Sequence, residues 1–447
     1  MALCKFFRFF VLFLLFFHPN FLGIAHNVRY GVKYTKLGNG LDVYVVPYSN
    51  QVSAVFHAMI YRVGGMDDPI GKTGLAHYLE RLVFEISEKF KNIESIMNNI
   101  GARFNAFTTR EYTCYYELVS KEDLPLVMEI EADRMKSLNV YQGKIDKEKS
   151  IILEERRMMI DNNPNNLLLE EMNSVFYRAG YGRPIIGWED DIKTYNIDDI
   201  IKFYNDYYNP GNSILLVIGD VDFNEIAKLA SEKYGKIKFT PPKIRYYPNH
   251  DLAYNASLLL TLESSKVKEP VLYFRYRVPL FKNIDEIYAV NLAVEVLGVG
   301  KFSRLYKSLI LDKNIAASVF AYYNNLTFSD GYVDIEVIPK IGVELSVIER
   351  ELDGVISNFL LRGVTDNELQ NAKSRYKEVQ LGKLSDLTSI AMFYIPRLAL
   401  GMQLDEIDIL CSKIDFIDLK EVNNKIRVVF STTKLVGRLL SKREYGE

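Results

Sequence analysis

Near its midpoint, at Phe239-Thr240-Pro241-Pro242, the chain's pattern of elements stops, and past residue 255 a similar pattern begins again. Paired prolines fix φ and remove backbone donors, so this stretch reads as a linker. In the first half, residues 32–46 alternate around Gly38-Asn39-Gly40 and predict a hairpin, and residues 53–63 predict a buried strand. Helices are expected at 73–84 and 93–99, strands at 102–109 and 112–118, and helices at 124–137, 146–159 and 197–208. A strand at 213–219 and a helix at 222–234 complete that half. The second half reads alike: strands 257–262 and 271–278, helices 287–297 and 304–311, strands 316–323 and 331–338. Helices 345–361 and 366–383 follow, with closing strands at 427–430 and 435–440. The expected fold is therefore α+β, with two homologous halves, each a mixed or antiparallel sheet packed with helices. The expected division is 26–240, a linker at 241–255, and 256–447.

Bulk properties narrow the classes of function. A content of 48% apolar and 25% charged residues is that of a globular protein. A net charge of −2 gives no case for a nucleic-acid partner or an acidic substrate. The 30 Tyr and 26 Phe fit core packing in a β-containing protein. The N-terminus carries Lys5 and Arg8, then the apolar run 9–17, then Gly23-Ile24-Ala25. That order predicts a signal peptide over residues 1–25, cleaved after Ala25, and a periplasmic or secreted protein; an uncleaved membrane anchor is the alternative. Cys4 would leave with that segment, and Cys114 and Cys411 could be one disulfide or two thiols.

The chemistry concentrates in residues 71–84, GKTGLAHYLERLVF. In a helix, His77, Glu80 and Arg81 sit at i, i+3 and i+4 and share a face. The pattern is H-x-x-E-R, one residue away from the inverted zinc-peptidase motif H-x-x-E-H. In that motif two His hold Zn²⁺ and the Glu is a general base. Downstream, Glu148 and Glu155 lie two helical turns apart and also share a face.

With Asn105-Ala106-Phe107-Thr108 and the run YGRPIIGWEDDIKTYNIDDIIKFYNDYYNP leading into VIGDVD, these segments make the sequence resemble the pitrilysin/insulinase family of zinc peptidases. The resemblance is to the shorter branch that includes mitochondrial processing peptidase and its bacterial relatives. It implies four α+β subdomains in two halves that close like a clamshell around a central cavity. It implies His77 as first zinc ligand, Glu80 as general base, Glu155 as third ligand and Glu148 as supporting carboxylate. It also implies that Asn105 and Ala106 lie on an edge strand that grips a peptide or unfolded segment by β-augmentation. A homologous second subunit is the implied partner, in a hetero- or homodimer. Ile310 and Ala317 stand where the family's substrate-binding half often carries Arg and Tyr. In that respect the chain resembles the zinc-bearing subunit of bacterial heterodimers.

Arg81 is the departure with chemical consequences. Arg has no lone pair to offer a metal. Its charge about 4 Å from Zn²⁺, at an effective dielectric of about 20, would cost roughly 8 kcal/mol. The expectation is a metal-free site in which Arg81 pairs with Glu155, Glu80 or both. His26, His57 and His250 offer no replacement ligand, and His57 is expected to be satisfied by packing. Glu154, Glu170 and Glu171 read as solvated helix faces, and Glu129, Glu131 and Asp133 as outward on the helix at 124–137. The functional expectation is an exported, peptide-binding, zinc-deficient peptidase-like subunit. The alternative is an active zinc metalloendopeptidase.

Overall fold

The restart in the sequence is a repeat of sheet topology. A computed structural model describes residues 31–49, 53–85, 87–177, 180–245, 256–281, 283–382, 386–404 and 413–442. The proposed signal segment, His26, His250, Cys411 and most of the linker lie outside these residues. The first sheet contains β1 (Lys33–Lys36), β2 (Asp42–Pro47), β3 (Ala54–Tyr61), β4 (Arg103–Thr108), β5 (Thr113–Ser120) and β6 (Ser213–Gly219). Its order is β1-β2-β6-β3-β5-β4. The second contains β7 (Leu258–Ser264), β8 (Val271–Val278), β9 (Ala316–Asn324), β10 (Gly331–Pro339) and β11 (Lys434–Ser441), in the order β7-β11-β8-β10-β9. Setting β1 aside, the two orders are the same. The direction of pairing also agrees: β2–β6 and β7–β11 are parallel, and every other neighbouring pair is antiparallel. Among the described residues β4 pairs only with β5 and β9 only with β10, so each is an edge of its sheet, as β1 and β7 are at the opposite ends.

Thirteen α-helices are described, of which eight lie in the first half: α1 (Leu75–Glu85), α2 (Ile93–Asn99), α3 (Leu124–Lys136), α4 (Gln142–Arg156), α5 (Pro164–Phe176), α6 (Glu189–Lys193), α7 (Ile197–Tyr207) and α8 (Phe223–Tyr234). The second half has α9 (Ile284–Gly298), α10 (Leu345–Arg362), α11 (Asp366–Gly382), α12 (Leu387–Ala399) and α13 (Leu419–Phe430). The segment 427–430, expected as a strand, is the end of α13 instead. Its apolar residues Val422, Ile426, Val429 and Phe430 recur at helical spacing, and Asp418 caps the first turn. Helices α5, α6 and α12 are not among the elements expected from the sequence.

Helices α5 and α12 join the halves. Helix α5, from the first half, packs on β7 and β11 of the second sheet. Helix α12, from the second half, packs on β3 and β6 of the first. Ile390, Ala391 and Ile395 of α12 belong to one buried core with Phe56, Ile60, Ile214, Leu216 and Ile218. The other face of the first sheet buries Val43, Val45, Met59, Leu215 and Val217 under α1 and α8. The first sheet is thus apolar on both faces, which explains the continuous apolar runs in β3 and β6.

A fully buried polar network lies under α3. His57 Nδ1 is 2.7 Å from Glu117 Oε2, and His57 Nε2 is 3.3 Å from the Tyr234 hydroxyl. Arg134 pairs with Glu131 and lies 4.0 Å from Glu117. Glu131 therefore faces inward, contrary to the outward reading, because Arg134 one turn on supplies the charge that its burial requires. Burial pushes Glu117 and Glu131 each up to about 7 against the pull of Arg134, and pulls His57 down to about 4. Arg134→Met should cost about 3–5 kcal/mol at pH 7.5, as expected when one partner of a buried pair is removed. Below pH 6 the loss should shrink, because both carboxyls then carry protons and need no counter-charge. Urea midpoints at pH 5.5 and 7.5 check this; an equal loss at both would show that charge is not the cause.

Candidate functional site

The motif helix begins where Asp68 makes it begin. Asp68 accepts from the N–H of Gly74 at 2.7 Å and of Ala76 at 2.8 Å, satisfying donors that an α-helix start leaves open. Gly74 has φ +85°, and a Cβ there would meet Ile186 O at 2.5 Å. The segment at 184–187 is thereby drawn against the start of α1. Tyr78 then ties α1 to α4 by donating to Ile145 O at 2.6 Å.

These elements bring His77, Glu80, Arg81, Asn105, Ala106 and Glu155 to one cleft of about 510 Å³. Its walls are α1, β4, the turn after α4, α5 and residues 182–186. Glu148 lies behind Arg81 and is fully buried. Arg81 Nε donates to Glu148 Oε1 at 2.5 Å, and its Nη1 is 3.5 Å from Glu155 Oε2. The two-turn spacing of the two carboxylates lets one guanidinium bridge them. Glu80 is not part of that bridge, although it was one of the two partners expected for Arg81. It accepts instead from Thr108 Oγ1 at 2.8 Å. Burial raises Glu80 to about 7, with the Thr108 hydrogen bond and the Arg81 charge holding it back.

His77 Nε2 is 3.9 Å from Glu155 Oε1, while its Nδ1 is buried with no hydrogen-bond partner among the described residues. Burial and the Arg81 charge lower its pKa to about 4, so the imidazole is neutral at pH 7. A metal-bound His usually donates its other ring N–H to an acceptor that orients it. His77 lacks that acceptor among the described residues. Nor, among those residues, is any group of three His, Cys, Asp or Glu placed to hold a metal ion. Catalytic zinc takes three protein ligands. The donor set here is two ligands and a guanidinium, which does not fit zinc.

Three features of the cleft lay beyond the sequence reading. Glu170, expected as solvated, is buried and receives Arg156 Nη2 at 2.9 Å and Nη1 at 3.2 Å. Thr108 lay inside the strand already singled out, but nothing local marked it as the partner of Glu80. Arg110 and Arg183 line the cleft from loops. On β4, the Ala106 N–H donates to Asn105 Oδ1 at 2.9 Å. Ile310 lies on the helical turn at Tyr306–Asp312, and Ala317 is exposed on β9.

Comparisons with known proteins agree with this architecture. Residues 44–188 match the family described as Insulinase (Peptidase family M16), and residues 194–376 match the Peptidase M16 inactive domain. The chain belongs to the insulinase family, M16. The M16 chain is 28% identical over 401 residues to the zinc protease PqqE of Helicobacter pylori, covering 88% of each chain. It is 29% identical over 371 residues to an uncharacterized zinc protease of Rickettsia bellii, covering 78% of this chain and 86% of that one. The crystal structure of a protease from Helicobacter pylori superposes with a TM-score of 0.85 at 25% identity, covering 92% of this chain and 99% of that one. The M16 fold thus covers 92% of the chain: two sheets packed with helices, in halves that meet in the clamshell arrangement. In the described part of this M16 chain no helix is long and apolar enough to cross a membrane.

Proposed function

We propose that this protein is an exported M16 peptidase-like subunit in which a guanidinium stands at the metal position. It holds peptides as extended strands against β4, with weak or no hydrolysis. One observation carries the reading: Arg81 is 2.5 Å from Glu148 and 3.5 Å from Glu155, the carboxylates that resemblance assigns to the metal site. The guanidinium replaces metal charge with fixed charge and leaves both carboxylates compensated. Strand binding is supported by β4, which among the described residues pairs only with β5 and so keeps one edge of backbone donors and acceptors open to the cleft. A docking strand would compete with Asn105 for the Ala106 N–H. Export rests on the charged, apolar and small-residue order of residues 1–25. A homologous partner subunit is supported by Ile310 and Ala317, which leave the second half without the Arg and Tyr often found there in the family.

A second reading, an active zinc endopeptidase, has one feature in its favour. Glu80 faces the cleft with a pKa near neutrality, as suits a general base. Metal analysis of the purified mature protein separates the two. We expect far less than one zinc per chain after dialysis against buffer without chelator. About one tightly held zinc per chain would overturn the proposal and favour the peptidase.

A further inference from the structure

Every carboxylate lining the cleft has a side-chain partner, while two of its guanidiniums bond only backbone carbonyls among the described residues. Glu80 is held by Thr108, Glu155 faces His77 and Arg81, and Glu170 takes Arg156. The remaining cations are Arg110 and Arg183. Arg110 Nε donates to Tyr181 O at 2.8 Å, and Arg183 Nη1 donates to Asp68 O at 2.5 Å. Among the described residues no carboxylate lies within 4 Å of either guanidinium. Beyond ion-pair distance, the Arg110 charge still acts on buried Glu111 and the Arg183 charge on buried Asp68. Asp68 turns both oxygens onto the start of α1, and buried Glu111 receives the Thr109 hydroxyl at 3.3 Å.

The frame holding these two arginines is tightly packed. Arg110 follows the end of β4, and its acceptor Tyr181 lies two residues before Arg183, so one short loop positions both. A Cβ on Gly180 would meet Met66 O at 2.7 Å, and one on Gly182 would meet Tyr177 O at 2.7 Å. The loop is therefore pressed against its neighbours. Each arginine spends a donor on a backbone carbonyl and keeps the rest of its planar fork for a ligand. A ligand carboxylate reaching both would gain two guanidinium partners.

We propose that Arg110 and Arg183 form a carboxylate subsite at the end of β4, which selects peptides carrying a negative charge there. This rests on the strand-binding reading above. The carboxylate is supplied by an Asp or Glu side chain or by a free peptide C-terminus. The chemistry is the same in both cases, and a guanidinium fork meets either bidentately.

Fluorescence anisotropy on the full mature chain tests this. The probes are labelled nonapeptides of alternating Val and Thr. One series carries a single Glu walked through the sequence, a second carries Gln at the same places, and each is made with a C-terminal acid and a C-terminal amide. We expect at least one Glu position, or the free C-terminus, to bind about tenfold tighter than its neutral match at low salt. Glu against Gln and acid against amide identify which source the subsite takes. The Arg110→Gln, Arg183→Gln double variant should bring that ratio close to one. Equal binding of every acidic and neutral pair by the unaltered protein overturns the subsite, whatever the variant does. If no probe binds at all, the strand reading falls and the subsite falls with it. A preference that persists in the folded double variant would place the selectivity elsewhere.

Discussion

Arg81→His is expected to turn a chain that holds little zinc into one that holds about one zinc per molecule. The change restores H-x-x-E-H on α1, with the new imidazole one turn from His77. It removes the positive charge whose cost near Zn²⁺ is roughly 8 kcal/mol. It also releases Glu148 and Glu155 from the guanidinium that now bridges them. His77, the introduced imidazole and Glu155 then make a three-ligand set with the composition of catalytic zinc centres. Lifting that cost recovers a large part of a typical structural zinc affinity, on the order of 10–16 kcal/mol. Metal analysis of both proteins checks this, with melting temperature measured with and without added zinc. At zinc about a hundredfold above its dissociation constant, binding adds about 2.7 kcal/mol of stability to the variant. A folded variant that stays metal-free would mean that the shell around Arg81 no longer has zinc geometry. Burying Glu148 without its guanidinium also carries a cost, so the metal-free variant should melt below the unaltered protein.

The second large effect concerns the helix exchange. A chain ending at residue 245 should not fold, even though it contains the whole first sheet. It lacks α12, which covers β3 and β6. Phe56, Ile60, Ile214, Leu216 and Ile218 are fully buried in the intact chain and would be uncovered. At about 1.5–3 kcal/mol for each such side chain, the loss is roughly 10 kcal/mol. That equals the whole stability of an ordinary domain, about 5–15 kcal/mol. The reciprocal loss applies to the second half, where α5 covers β7 and β11. Soluble yield and circular dichroism melts of the fragment check this. A soluble fragment with a cooperative melt would show that α12 is dispensable. In the intact chain the same exchange predicts one unfolding transition in urea, because neither half keeps its core once the other opens.

What the sequence by itself determined about this protein were most of its elements, its duplication and its family. Strands such as 213–219 and 271–278 were legible to the residue, because apolar runs and turn residues are local signals. The motif helix was legible for the same reason, and the i, i+4 relation of His77 and Arg81 follows from helix geometry alone. That Arg cannot serve as a metal ligand is likewise a property of the side chain. What only the tertiary structure decided were the pairings between distant segments. Arg81 chose Glu148 over Glu80, since the register of α1 against α4 sets which oxygen the guanidinium meets. Glu131 and Glu170 went inward because Arg134 and Arg156 were there to receive them. Helices α5 and α12 were hidden because each buries its apolar face against the opposite sheet, a partner on which local periodicity is silent. Arg110 and Arg183 carry no motif, and 73 residues separate them along the chain. Their shared place in the cleft comes from a loop whose close contacts exist only after the chain has closed on itself.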